Sequence, residues 1–258
     1  MIARIKYGCI ALIALTLSSV VQARSMEEID KSGRLIIGSY GNFRPFTYFE
    51  DGKFTGFEVD IGNEIAKRMN LTPEWKPMEF DSLLTGLSQD RWDMVTASFG
   101  ITPERSKAVL FTEPHYCTGG IIATTKPDIK IAEDLNGKKV SVQTGSTYFL
   151  ALQKIPGVQV RNMSSDNARN ALLTGKVDAW VTDKFVALLM QQKEQDTKGA
   201  ARPLYLGDLL FSERVATAVK KDNHELAERY NQALESMLKD GTYETISKKW
   251  FKEDVRCQ

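Results

Sequence analysis

The chain has 258 residues and nearly balanced charge, 34 Lys+Arg against 33 Asp+Glu, with two histidines and three cysteines. Interspersed signs without a basic surplus exclude the electrostatic footprint of a protein that binds nucleic acid or an anionic membrane. Cysteine and histidine this scarce leave no four-ligand structural metal site and argue against zinc chemistry or a Ser-His-Asp triad. No cofactor is expected.

At the start of the chain, Arg4 and Lys6 precede a short apolar run, Ile10 to Leu17 with Val20 and Val21, and Val21-Gln22-Ala23 ends in small residues. That order reads as a secretory signal peptide cleaved near Ala23. The run is short for a membrane span, and Cys9 lies inside it rather than at the cleavage point, which argues against a lipid anchor. Removing residues 1–23 takes two basic residues and no acid, so 32 Lys+Arg (34 − 2) face 33 Asp+Glu over 235 residues (258 − 23). That length suits one large domain or two small lobes. An exported, unanchored protein points to a bacterial periplasm. There Cys117 and Cys257 meet oxidising conditions, and their spacing leaves a bridge and two free thiols both open.

Arg34 to Ser39 predicts a buried strand. Phe46 to Phe49 and Phe54 to Phe57, split by Glu-Asp-Gly-Lys, predict a hairpin. Glu58 to Met69 puts Ile61, Ile65 and Met69 on one stripe of a helix that Asn70 stops. A strand (72–76), a helix (81–88) and a strand (Trp92 to Ser98) follow, the βαβαβ order of a largely parallel sheet covered by helices. Thr102-Pro103-Glu104 then has the chemistry of a helix start: an N-cap, a proline in the first turn and an acid at the positive end of the dipole. Arg105 thus stands one short turn past a strand end, where its planar fork suits a carboxylate. An ordinary surface ion pair is the plainer alternative.

The pattern restarts after Gly119-Gly120, with strands at 121–124, 139–142, 158–162 and 178–182 and helices at 146–154, 165–174 and 183–192. One more strand (215–220) and two helices (223–238, 242–250) form a tail able to dock back on the first half. Two α/β lobes joined by more than one crossing create a cleft, and ligands settle at the carboxyl ends of parallel strands.

The run Gly56-Phe-Glu-Val-Asp60-Ile-Gly-Asn-Glu-Ile-Ala-Lys-Arg-Met69 resembles the signature of the bacterial extracellular solute-binding proteins that serve polar amino acid ABC importers. Phe43-Arg-Pro-Phe46, Ile101-Thr-Pro-Glu-Arg105, Phe111-Thr-Glu-Pro-His-Tyr116, Asp134-Leu-Asn-Gly-Lys138, Gln143-Thr-Gly-Ser-Thr147, Val177-Asp-Ala-Trp-Val-Thr-Asp183 and the segment Asp240 to Phe251 continue it in family order. The resemblance implies an α/β fold of the two-lobe periplasmic binding protein (type II) clamshell, each lobe a mainly parallel sheet flanked by helices. Lobe 1 would be residues 24–116 plus 208–258 and lobe 2 residues 117–207. Closing by hinge motion would bury the ligand.

The resemblance assigns roles to matching positions. Arg105 and the backbone amides around Ser146 and Thr147 would hold an α-carboxylate, with Gly100 offering only its amide where many relatives carry a Ser or Thr hydroxyl. Asp183, supported by Ser98, would accept from the α-ammonium, although a helix N-cap is its other reading. Phe43 and Phe80 would wall the ligand, and Gln143 and Thr182 would lie near its side chain, with Arg44 and Glu213 at the rim. Tyr40 replaces an acid that several relatives use, which argues against lysine, arginine or histidine. Trp75-Lys-Pro-Met-Glu-Phe80 looks most like the glutamine-binding members. The expected protein is a monomeric binder that delivers a polar L-amino acid to an ABC permease. One alternative is a dehydratase of prephenate- or arogenate-like acids, with Glu113 or Glu213 as general acid. The other is a free-standing amino-acid sensor. Substituting Arg105 or Asp183 by alanine is expected to abolish binding and leave the fold intact.

Overall fold

The structure, a computed structural model, describes residues 24–196 and 203–257. The signal-peptide reading falls on residues 1–23, outside that range. Among the described residues, no helix is long and apolar enough to cross a membrane.

Two five-stranded sheets organise the chain. In the first, Arg34–Ser39 lies between Thr72–Pro77 and Met94–Val95, parallel to both. Ala218–Lys220 then pairs antiparallel with Met94–Val95 and with Val109–Phe111. In the second, Lys139–Gln143 lies parallel to Gln159–Met163 and to Ala179–Asp183, while Tyr116–Thr124 runs antiparallel to both Ala179–Asp183 and Tyr205–Val215. Each sheet is therefore parallel on one side and antiparallel on the other, more mixed than the expected mainly parallel lobes. One strand in each sheet opposes the rest: Ala218–Lys220 in the first, where the chain comes back, and Tyr116–Thr124 in the second, where the chain arrives. A separate three-stranded ribbon, Asn42–Phe43, Thr47–Glu50 and Lys53–Thr55, contains the predicted hairpin.

Two predicted strands change. Trp92 to Ser98 keeps only Met94–Val95 as strand; Asp93 still donates its amide to the Ile36 carbonyl (2.9 Å), whereas Ser98 turns out of the ladder. The Asp93 carboxylate takes the Ile36 amide (2.7 Å), and Ser98 adopts φ 55. After Leu206, where no strand was expected before Val215, the strand Tyr205–Val215 runs through two register shifts and ends paired with Tyr116. Its half-buried alternation, with Leu209 exposed, hides it from hydrophobic patterning. This pairing keeps residues 208–215 on the second sheet, past the point at which the sequence reading returns the chain to the first half.

The helix Phe57–Arg68 buries Ile61 and Ile65 as its stripe predicts, takes in Phe57 from the expected hairpin, and is stopped by Asn70 at φ 58. The terminal helices His224–Lys239 and Thr242–Phe251 dock on it, and Arg68 ties them by donating to Ser236 Oγ and Thr242 Oγ1 (3.0 Å). Rings cross the seam between the halves: Phe46 stacks on Tyr116 (4.9 Å), and Phe185 meets both Phe46 (6.5 Å) and Phe251 (4.7 Å). Cys117 and Cys257 are bonded, fastening the last residues to the strand that leaves the first sheet for the second.

Candidate functional site

Arg105 stands where the sequence puts it. Thr102 caps the helix Pro103–Ala108, its hydroxyl accepting from the Arg105 amide (3.1 Å), with Pro103 in the first turn. The guanidinium donates from Nη1 to the Gly100 carbonyl (2.7 Å) and from Nη2 to the Gly145 carbonyl (2.9 Å). Gly100 belongs to the first half and Gly145 to the second, so one cation spans the seam. It also lies over the rings of Phe99 (4.8 Å) and Phe80 (5.9 Å), which stack at 4.3 Å. Burial lowers its pKa, against the pull of Glu213, and a guanidinium remains charged throughout the working range.

Across the seam, Gly145 turns the chain at φ 74 and Ser146 caps the helix Thr147–Leu152. The Ser146 hydroxyl accepts from the Phe149 amide (3.2 Å) and donates to the Gln143 carbonyl (2.7 Å). A small cavity of about 10 Å³ lies between the halves. Phe43, Phe80, Ser98, Arg105, Gln143, Ser146, Thr147 and Tyr148 line it. Phe43 is backed by Phe46 (5.5 Å), and the buried Gln143 amide nitrogen has no hydrogen-bond partner among the described residues.

Asp183 and Gly100 are not part of that lining. Asp183 ends the strand Ala179–Asp183, fully buried. One oxygen accepts from the Phe185 and Val186 amides (2.7 and 3.3 Å), and the other from the Thr118 hydroxyl (2.6 Å). The cap reading of Asp183 is therefore a fact of the fold. Burial pushes its pKa up to about 7, despite hydrogen bonds that favour the anion.

Three residues escaped sequence reading. Glu58 is buried in the helix Phe57–Arg68 and accepts from the Ser98 amide (2.9 Å) and hydroxyl (2.8 Å), with His115 Nε2 at 2.8 Å. It fixes Ser98 in a conformation that non-glycine residues seldom adopt. Thr118 shares a face with Tyr116 and Gly120 on a strand that starts earlier than its apolar run suggests. Tyr148 follows Thr147 into the cleft, and burial raises its pKa well above the ordinary value.

Other expected residues stand elsewhere. Glu113 is exposed beside Arg214 (4.0 Å), at an outer pocket that also holds Cys257, so it cannot serve the cleft as a general acid. Arg44 lies over the Tyr48 ring (3.8 Å) and pairs with Glu50 (2.8 Å), both on its own ribbon, although it borders an opening with Asp166 and Arg169. Thr182 is buried on the strand leading to Asp183. Tyr40 is buried edge-on to Phe80 (6.3 Å), its hydroxyl without a partner and its pKa pushed up to about 12 by burial. Glu213 is not at a rim: both its carboxyl oxygens are buried.

The model of the family "Bacterial extracellular solute-binding proteins, family 3" matches residues 35–253. The L-cystine-binding protein TcyJ of Escherichia coli (strain K12) is 34% identical over 254 residues, 95% of this chain and 93% of that protein. The ABC transporter arginine-binding protein 1 of the same organism is 30% identical over 246 residues, 94% and 98% of the two chains. Among solved structures, an ancestral arginine-binding protein bound to arginine superposes with a TM-score of 0.80 at 39% identity, covering 85% of this chain and 98% of that one.

Proposed function

The chain belongs to the bacterial extracellular solute-binding proteins of family 3, and from that premise we propose that it captures a polar L-amino acid between two lobes in the periplasm and delivers it, as a monomer, to an ABC importer. Lobe 1 is the first sheet with the C-terminal helices and lobe 2 the second sheet. The crossings near Tyr116 and Val215 are the hinge. The observation that carries this reading is the Arg105 guanidinium, half-buried over aromatic rings and bonded to a carbonyl of each half. A carboxylate that meets its remaining N–H groups touches both lobes at once, and a ligand stabilises closure only through such two-sided contacts.

The amides at the start of the helix Thr147–Leu152 add donors for that carboxylate. The α-ammonium is accepted by Asp183, whose burial it relieves by supplying the missing positive charge. Phe43 and Phe80 wall the ligand, Ser98 and Gly100 present backbone groups, and Gln143 faces the side chain with its unpartnered amide. An enzymatic role has lost Glu113, which stands outside the cleft. The relatives are named for cystine and arginine, so the side-chain preference is to be settled by measurement.

The test is thermal unfolding of the ligand-free protein against each standard L-amino acid, L-cystine, arogenate and prephenate. A ligand at a hundredfold excess over its Kd contributes about 2.7 kcal/mol, a rise on the order of 5–10 °C for a chain this size. A rise with one or a few amino acids is the expected result. A rise only with arogenate or prephenate would replace binding with the dehydratase reading, and no rise with any compound would overturn the amino-acid assignment.

A further inference from the structure

The second sheet places two carboxyl groups on one face. Asp183 opposes Gly120 across the ladder, and Thr118, two residues earlier on the same face, opposes Glu213 on the next strand. Thr118 is already bonded to Asp183. Glu213 is only half-buried as a residue, yet both of its oxygens are buried, and among the described residues neither makes a hydrogen bond of ordinary geometry, although the Thr147 and Tyr148 hydroxyls lie beside them. The carboxyl group fills the space beside Gly100: a Cβ built on that glycine would stand 1.8 Å from Glu213 Oε2 and 3.2 Å from the Thr147 methyl. Thr147 itself lines the cleft. Glu213 thus occupies the volume that a side chain at position 100 would use, next to the two groups assigned to the ligand carboxylate.

A buried, unpartnered carboxylate is costly, and a second carboxylate beside it costs more. An amino acid zwitterion neutralises Arg105 and Asp183 and leaves Glu213 over. We propose that Glu213 is a ligand-binding residue that works as a carboxylic acid, donating its O–H to the ligand's α-carboxylate, so that capture takes up one proton from solvent. This inference rests on the amino-acid reading above.

The charged and titratable groups around it are Arg105, Tyr148 and Asp183. Burial raises the pKa of Glu213, opposed by the Thr147 hydroxyl, the Arg105 charge and the Tyr148 hydroxyl. A bound carboxylate raises it further. Proton uptake accordingly occurs between the free and bound values: affinity is flat below that window and weakens by up to about tenfold per pH unit as pH rises through it. Asp183 works the other way, since a bound ammonium lowers its pKa and releases a proton. The Glu213 contribution is therefore read as a difference between two proteins that both retain Asp183.

The experiment is calorimetric titration of the parent and Glu213→Gln proteins with the twenty standard L-amino acids and L-cystine, in buffers of differing ionisation enthalpy from pH 5 to 9. With the tightest ligand, the parent is expected to take up close to one proton more than Glu213→Gln, and only the parent carries the matching loss of affinity at high pH. Equal proton counts in the two proteins overturn the proposal while the binding function stands. No binding by any compound overturns both. Gly100→Ser supplies an independent readout. Alone it collides with Glu213 and is expected to weaken binding at least tenfold. Combined with Glu213→Ala it places a hydroxyl in the same volume and restores binding without the extra proton. A double variant no tighter than Glu213→Ala alone would equally overturn the assignment.

Discussion

Arg105 and Asp183 are the two charged poles of the proposed ligand site, and they are built in opposite ways. Arg105 reaches across the seam, holding one carbonyl from each half, and its own short helix is capped by Thr102 rather than by itself. Asp183 stays inside the second sheet, where the same carboxylate starts a helix and anchors Thr118. In the proposed site, one pole serves the ligand alone, while the other combines structure and ligand on one group. The difference also appears in titration. A guanidinium keeps its charge under all working conditions, whereas burial brings Asp183 close to neutral pH.

The largest effect expected from this contrast is that of Asp183→Ala. It removes the partner of two helix amides and a buried hydroxyl, and should cost about 3 kcal/mol of stability as well as the ligand response. An intact fold is therefore expected of Arg105→Ala, and a weakened one of Asp183→Ala. Urea unfolding of the ligand-free variant measures this, and an unchanged midpoint would show that the cap contributes nothing.

Arg105→Ala should weaken binding at least about a hundredfold, close to 3 kcal/mol, with ligand-free stability within about 1 kcal/mol of the parent. If stability fell as far as in Asp183→Ala, the two poles would be alike and the contrast would fail.

Next comes pH. Asp183 titrates near 7 when folded, above its ordinary value of 3.8, so the folded chain holds a proton that the unfolded chain releases. Its stabilising effect is complete below the unfolded value and is lost as pH rises through the folded one. Ligand-free stability should accordingly carry a falling component of about 2–3 kcal/mol between pH 5 and 7. Comparing thermal unfolding of the parent with Asp183→Asn isolates that component, and parallel curves would refute it. Ser146→Ala should have the smallest effect, about 1 kcal/mol of stability from loss of the cap on Thr147–Leu152. If it weakened binding as much as Arg105→Ala, the second half would hold the carboxylate as tightly as the first.

The sequence by itself determined the features governed by neighbours along the chain. The stripe Ile61, Ile65 and Met69, the start at Thr102-Pro103 and the cap at Ser146 are local, and each formed where residue chemistry placed it. The position of Arg105 was legible because Thr102-Pro103 marks a helix start shortly after a strand end. Tertiary structure decided the rest. Only strand order brings Thr118 between Asp183 and Glu213, and only the approach of Tyr205–Val215 to Gly100 buries a carboxyl group that the sequence showed as one more charge near a rim. Glu58 and the Cys117–Cys257 bond belong to the same class. Hydrophobic periodicity reports which face of an element is covered, but the partners that meet on that face come from distant segments, and their pairing energy has no signature in either one alone.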